Sequence, residues 1–268
     1  MPERKEYIFQ DRVVIYIDVL GFKEKLKDFE KEAIKNIQDG SEFYYSNKVN
    51  DFVGTFKEVV SSLDKENINY YLFSDNICIT VDYLSDKTLL PNVLLKISDL
   101  FYEFASKGYF LRGGIDVGKF IDERLIAVGI PLSTAYEIEN TKAIYPRIVL
   151  SDNFVSLAES YAIDKDYEYS DLFTEGNLIL TSCEIKYLNI FFNIINKDDK
   201  HHYLETFRKS VIQNLKHTEK REQIHVKYEW LVKEYNHFID YLTSELIYTD
   251  DENVPTDEEV ELIRNLKI

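Results

Sequence analysis

Val13-Val14-Ile15-Tyr16-Ile17 is an unbroken apolar run that ends in a single carboxylate, Asp18. A run so short and continuous reads as a strand buried on both faces, around which the rest of a sheet has to be built. Gly21 follows, and a lysine-rich helical pattern starts at Lys23. A carboxylate beside a buried strand is costly unless something pairs with it. One partner is a divalent metal; another is the set of free N–H groups at a helix start. The same helix start, opened by Gly21, also suits a phosphate. Asp18 is therefore either a simple helix cap or one wall of a metal–phosphate corner.

The following pattern is helix over 23–39 and again over 42–64, where Phe43, Phe52, Phe56, Val59 and Val60 recur at helical spacing. Tyr70-Tyr71-Leu72-Phe73 and Ile77-Cys78-Ile79-Thr80-Val81 read as two strands joined by the turn residues Ser74-Asp75-Asn76. A helix from Leu89 to Lys107 ends at Gly108. A strand from Tyr109 to Lys119 carries Arg112-Gly113-Gly114-Ile115-Asp116-Val117-Gly118, and glycines that dense imply close backbone approach or a bulge. A short strand at 125–128, a helix over 132–142 and a strand over 144–150 complete the series, and Ser151-Asp152 caps a further helix. The order predicts an α+β fold with helices packed on one sheet. With the first strand beside the hairpin, Asp18 and Asp75 approach each other, which suits two metals on a triphosphate.

Residues 1–160 form one unit on this reading, and 161–268 a mainly helical extension packed on it. Helical patterns cover 203–216 and 219–247, and Leu231, Tyr235, Phe238, Ile239 and Leu242 share a face in the second. An acidic tail from about Thr249 carries little to bury and should be dispensable for assembly. Net charge of -16 argues against binding nucleic acid. No apolar run is long enough to span a bilayer. Two cysteines, Cys78 and Cys183, make no disulfide framework, so the expected location is the cytoplasm. The five histidines match no zinc spacing.

Several of these stretches resemble the class III nucleotide cyclases. Tyr16-Ile17-Asp18-Val19-Leu20-Gly21-Phe22 is similar to that family's first metal-binding strand, and Phe73-Ser74-Asp75 stands where its hairpin carries the second metal carboxylate. Arg112 to Gly118 looks like the family's Arg-Ile-Gly-Ile-His-Thr-Gly strand, and Gly129 to Glu139 matches its next helix in length more than in identity. The resemblance covers about residues 12–155. It implies a cyclase-like sandwich with a ferredoxin-like βαββαβ core and a homodimer. It also implies two divalent cations, Mn²⁺ or Mg²⁺, held by Asp18, Asp75 and the Val19 carbonyl. The amides of Leu20, Gly21 and Phe22 are then candidates to hold the triphosphate.

The departures are specific. The family's transition-state Asn and Arg fall on Ser133 and Glu137, and its base-reading Lys and Asp on Tyr71 and Ile130. Loss of both purine contacts is shared with the pyrimidine cyclases of bacterial Pycsar antiphage systems. The segments 143–148, 227–231 and Tyr235-Asn236 also resemble that branch. This implies UTP or CTP as substrate, a cyclic nucleotide as product, and a separate cyclic-nucleotide-binding effector. Without the Asn and Arg, another cation has to stabilise the phosphoryl oxygens. Arg112 and Arg147 are the candidates, each otherwise a salt-bridging arginine; Lys227 is weaker, and Asp116 either acts in catalysis or pairs across the sheet.

Other functions compete. A haloacid-dehalogenase-type phosphatase needs a second Asp where this chain has Leu20. A palm-type polymerase or diguanylate-cyclase relative wants adjacent acids in the hairpin, whereas Asp75 stands between Ser74 and Asn76. A purine cyclase, or a degenerate cyclase fold that binds nucleotide without turnover, remains as the alternative.

Overall fold

The computed structural model describes residues 6–63, 66–123, 126–248 and 256–268. β1 (Gln10–Val19) leads through α1 (Phe22–Gln38) and α2 (Asn47–Val60) to the hairpin β2 (Ile68–Phe73) and β3 (Asn76–Val81). α3 (Leu89–Ser106), β4 (Leu111–Glu123), β5 (Ile126–Gly129), α4 (Ile130–Thr141), β6 (Ile148–Leu150) and α5 (Asp152–Ile163) follow. The rest forms the hairpin β7 (Ile179–Ser182) and β8 (Ile185–Leu188), then α6 (Lys200–Thr218), α7 (Glu222–Tyr248) and α8 (Asp257–Arg264). The fold is α+β, and among the described residues the strands join in one sheet of order β2-β3-β1-β4-β6-β8-β7, with β5 on β4.

β1 lies inside this order, antiparallel to both β3 and β4. Its alternate residues explain the unbroken apolar run. Val13, Ile15, Ile17 and Val19 enter the main core with Phe52, Phe101, Phe104, Phe207 and Leu231 from the helices. Val14 packs the opposite face with Cys78 and Phe120. α4 sits on that second face, its backbone close against Gly114 of β4. Burial of each such side chain is worth about 1.5–3 kcal/mol, so both faces of β1 contribute to holding the sheet. Cys78 behaves as a small buried hydrophobe: burial, helped by the Asp122 carboxylate, pushes its thiol up to about 12, and Cys183 is exposed. Among the described residues no helix is long and apolar enough to cross a membrane.

The structure differs from the sequence expectation at several places. α2 begins at Asn47, not 42, because the Ser46 hydroxyl caps it by accepting from the Val49 amide at 3.3 Å; Phe43 is left exposed outside it. The strand expected over 144–150 shortens to Ile148–Leu150, since Pro146 has no N–H to give a ladder. The sheet also continues past residue 160: β8 pairs with β6 at Val149↔Tyr187 and brings β7 with it.

The acidic tail divides in two. Residues 249–255 lie outside the described residues. From Thr256 the chain forms α8, started by a capping box between Thr256 and Glu259. Contrary to the expectation that this tail has little to bury, Val260, Ile263 and Leu266 are buried. Asn236 of α7 exchanges two 2.9 Å hydrogen bonds with the Ile268 backbone. Truncation after residue 255 is therefore expected to cost about 3 kcal/mol or more. A urea midpoint unchanged by that truncation would show that α8 adds nothing to stability.

Candidate active site

Two carboxylates meet at one end of the sheet. The β1–β3 register sets Asp18 opposite Asn76, so Asp75, the residue before it in the hairpin turn, comes beside Asp18. Ser74 makes the turn possible at φ 61°, in the left-handed region. Burial raises the Asp18 carboxyl above the ordinary carboxylate range; Arg112 pulls it back, and the adjacent Asp75 carboxylate pushes it up again. The Asn76 side chain ties the turn down: its Nδ2 donates to Asp75 at 3.2 Å, and its Oδ1 accepts from the Tyr16 hydroxyl. Tyr136 of α4 covers Tyr16 edge-on at 5.4 Å.

Beyond Asp18 the chain turns at Gly21, whose φ of 70° is open to glycine and strained for most other residues. Gly21 is the N-cap of α1, so the amides of Gly21 and Phe22 lie at a helix start that has no carbonyl of its own to bond. Leu20 is a correction to the sequence reading: its amide already donates to the Phe110 carbonyl at 2.8 Å and is not free for a phosphate.

Arg112 faces Asp18 across the β1–β4 register. Its Nε and Nη2 lie 3.0 and 2.9 Å from Asp18 Oδ2, so both contacts fall on one oxygen. The same Nη2 lies 2.6 Å from Oε1 of Glu139 on α4. Glu139 is only 2% exposed, so Arg112 is its close polar partner in a largely buried setting. Burial raises the Glu139 carboxyl, against the pull of Arg112. Lys227 of α7 completes the group. Burial lowers its ammonium, Arg112 lowers it further, and Asp18 and Glu139 raise it. Asp18 and Glu139 thus share Arg112 and Lys227, with Asp75 beside Asp18.

Other expected site residues lie elsewhere. Arg147 is not among these charges: it is buried in a box of Tyr145, Tyr187 and Trp230 rings, 5.5–5.6 Å from each centroid, and its Nη2 donates to the Lys142 carbonyl at 3.1 Å. Tyr71 spends its hydroxyl on Asp122, at 2.7 Å, rather than holding it free. Ile130 begins α4 and is 79% exposed. Asp116 pairs with neither arginine; it accepts from Ser151 at 2.5 Å and from Asn153 at 3.3 Å, anchoring the start of α5.

Asp18 and Asp75 are hard oxygen donors, and Val19 ends β1 at the same corner. Mg²⁺ and Mn²⁺ are commonly held by one or two carboxylates, with water and phosphate supplying the rest. Among the described residues no three His, Cys, Asp or Glu side chains gather into a cage. The donor set fits a cation shared with a phosphorylated substrate.

Sequence reasoning passed over Glu139 and set Lys227 low, because a charged residue on a helix is by default solvated. One signal was available for Lys227, its place in a segment already noted for resemblance. Glu139 carried none apart from ending the stretch that followed Gly129.

No model of a known family matches the sequence, and no curated protein matches it. Among solved structures, the chain is similar to the catalytic core of a rhodopsin-guanylyl cyclase with converted specificity in complex with ATPαS. The two are 14% identical over 59% of this chain and 84% of that one, with a TM-score of 0.35. It is also similar to a bacterial light-regulated adenylyl cyclase, 11% identical over 77% of this chain and 100% of that one, with a TM-score of 0.41.

Proposed function

We propose that the chain is a metal-dependent nucleotide cyclase that converts UTP or CTP to the 3′,5′-cyclic nucleotide and pyrophosphate. The observation that carries this reading is the juxtaposition of Asp18 and Asp75 at the start of α1. Asp18 and Asp75 hold the divalent cations, with the Val19 carbonyl at the same corner. A cation held there would supply a lower pKa for the attacking 3′-hydroxyl and a counter-charge for the leaving pyrophosphate. The Gly21 and Phe22 amides and the α1 N-terminus take the triphosphate oxygens. Arg112 and Lys227, not Arg147, are the cations available to developing phosphoryl charge.

The base preference rests on the two positions that the resemblance, not the Asp18 corner, assigns to base reading. Tyr71 has its donor committed to Asp122, and Ile130 offers no hydrogen bond. A purine would leave its polar edge unpaired in such a site, at a cost of roughly 1–3 kcal/mol per group. The resemblance described above adds a homodimer, and a product read by a separate effector in antiphage defence. On this reading residues 1–160 carry the cation site and the extension contributes Lys227.

The test is incubation of the purified protein with each of the four nucleoside triphosphates and Mn²⁺ or Mg²⁺, with products identified by mass. Cyclic UMP or cyclic CMP is expected to form about tenfold faster than either purine product. ATP conversion equal to both pyrimidines would make the chain a purine cyclase. Nucleotide binding without any pyrophosphate release would make it a binder.

A further inference from the structure

The ion pairing at Arg112 is asymmetric. One nitrogen, Nη2, serves two carboxylates: Asp18 on β1 at 2.9 Å and Glu139 on α4 at 2.6 Å. Glu139 is buried, reaches Arg112 through the one nitrogen that Asp18 also uses, and has its carboxyl raised chiefly by burial. A buried ion pair of this kind is often no more stabilising than apolar side chains of similar size. Its geometry gives it a different use. Asp18 cannot give its full charge to a cation while Arg112 sits on Oδ2, and Arg112 cannot leave Asp18 without a second anion within reach.

We propose that Glu139 is a positioning residue that draws Arg112 off Asp18 and so sets the cation affinity of the Asp18–Asp75 pair. The inference rests on the two carboxylates being a cation site. When a cation approaches, Arg112 keeps its contact with Glu139 and yields the Asp18 oxygen, with no guanidinium left unpaired. Removing the Glu139 charge leaves Asp18 as the only carboxylate on Arg112, so the arginine competes more strongly with the cation. Removing Arg112 abolishes the competition. The two changes therefore act in opposite directions.

The experiment is Mn²⁺ titration of the full chain without nucleotide, followed by calorimetry and by the loss of free Mn²⁺ signal in electron paramagnetic resonance. Wild type, E139Q, R112M, D18N and D75N are compared, each with its thermal melt. E139Q is expected to weaken Mn²⁺ binding about tenfold, and R112M to tighten it by a similar factor. A purely structural role for the pair would weaken binding in both variants, and that result overturns the proposal, as does E139Q binding Mn²⁺ like wild type. If E139Q does not fold, R112M decides alone, since weaker or unchanged binding there also overturns it. Failure of the cation site itself looks different: wild type would bind no Mn²⁺, or D18N and D75N would bind it as well as wild type. In that case both readings fall.

Discussion

Asp18→Asn and Asp75→Asn are each expected to lower turnover by roughly two to three orders of magnitude, the several kcal/mol that a held cation supplies to a transition state. Neither change should unfold the chain. Asn keeps the side-chain volume, and Arg112 retains Glu139 when Asp18 is neutral. The sign of the pKa shift points the same way. Burial raises the Asp18 carboxyl on folding, so it stabilises the fold only while protonated. That contribution is present below the ordinary carboxylate range and is lost as pH rises through the raised value, so the ionised carboxylate is not what holds the fold together. Pyrophosphate release and a melting curve measured on the same samples check both halves. Near-native turnover of either variant with Mn²⁺ would show that these carboxylates do not hold the working cation.

Much of this corner was legible in the sequence, for a local reason. An unbroken apolar run has one common explanation, a doubly covered strand, and β1 has its two faces in two different cores. The hairpin announced itself by two β-rich runs around Ser74-Asp75-Asn76, and pairing it beside β1 was enough to bring Asp18 and Asp75 together. What failed to show was everything that depended on distant segments. The Leu20 amide is consumed by Phe110, and the Arg147 guanidinium by rings from β8 and α7. Glu139 and Lys227 are on helices, and no local pattern tells a helical charge that faces solvent from one driven into a site. Their roles follow from how α4 and α7 seat on the sheet. Periodicity along the chain is silent about that seating, but the glycines of β4 bear on it directly.

Gly114 is where α4 is seated, and Gly114→Ala is expected to be among the most disruptive single-methyl changes in the chain. A Cβ there would lie 2.3 Å from the Ala135 carbonyl oxygen, 3.0 Å from the Ala135 carbonyl carbon and 3.0 Å from the Ile138 Cβ. Two of these are backbone atoms inside a helix and cannot swing aside, so α4 itself has to lift. Overpacking of this kind costs about 1–3 kcal/mol and at times more, which for a chain of this size lowers the melting temperature by roughly 2–12 °C. α4 also carries Glu139, so lifting it moves the second anion away from Arg112 and weakens Mn²⁺ binding in the sense expected for E139Q. Two glycines serve as graded controls. At Gly118 the added carbon meets only the Pro131 ring, at 3.1 Å, so a milder loss is expected. Gly54, inside α2, has nothing within 4 Å of an added Cβ, and Gly54→Ala should stabilise by up to about 1 kcal/mol through helix propensity. Melting curves for the three variants should therefore rank Gly114→Ala lowest and Gly54→Ala highest. A Gly114→Ala protein that melts with wild type would mean that α4 does not rest on β4 at this distance, and the geometry assigned to Glu139 would fail with it.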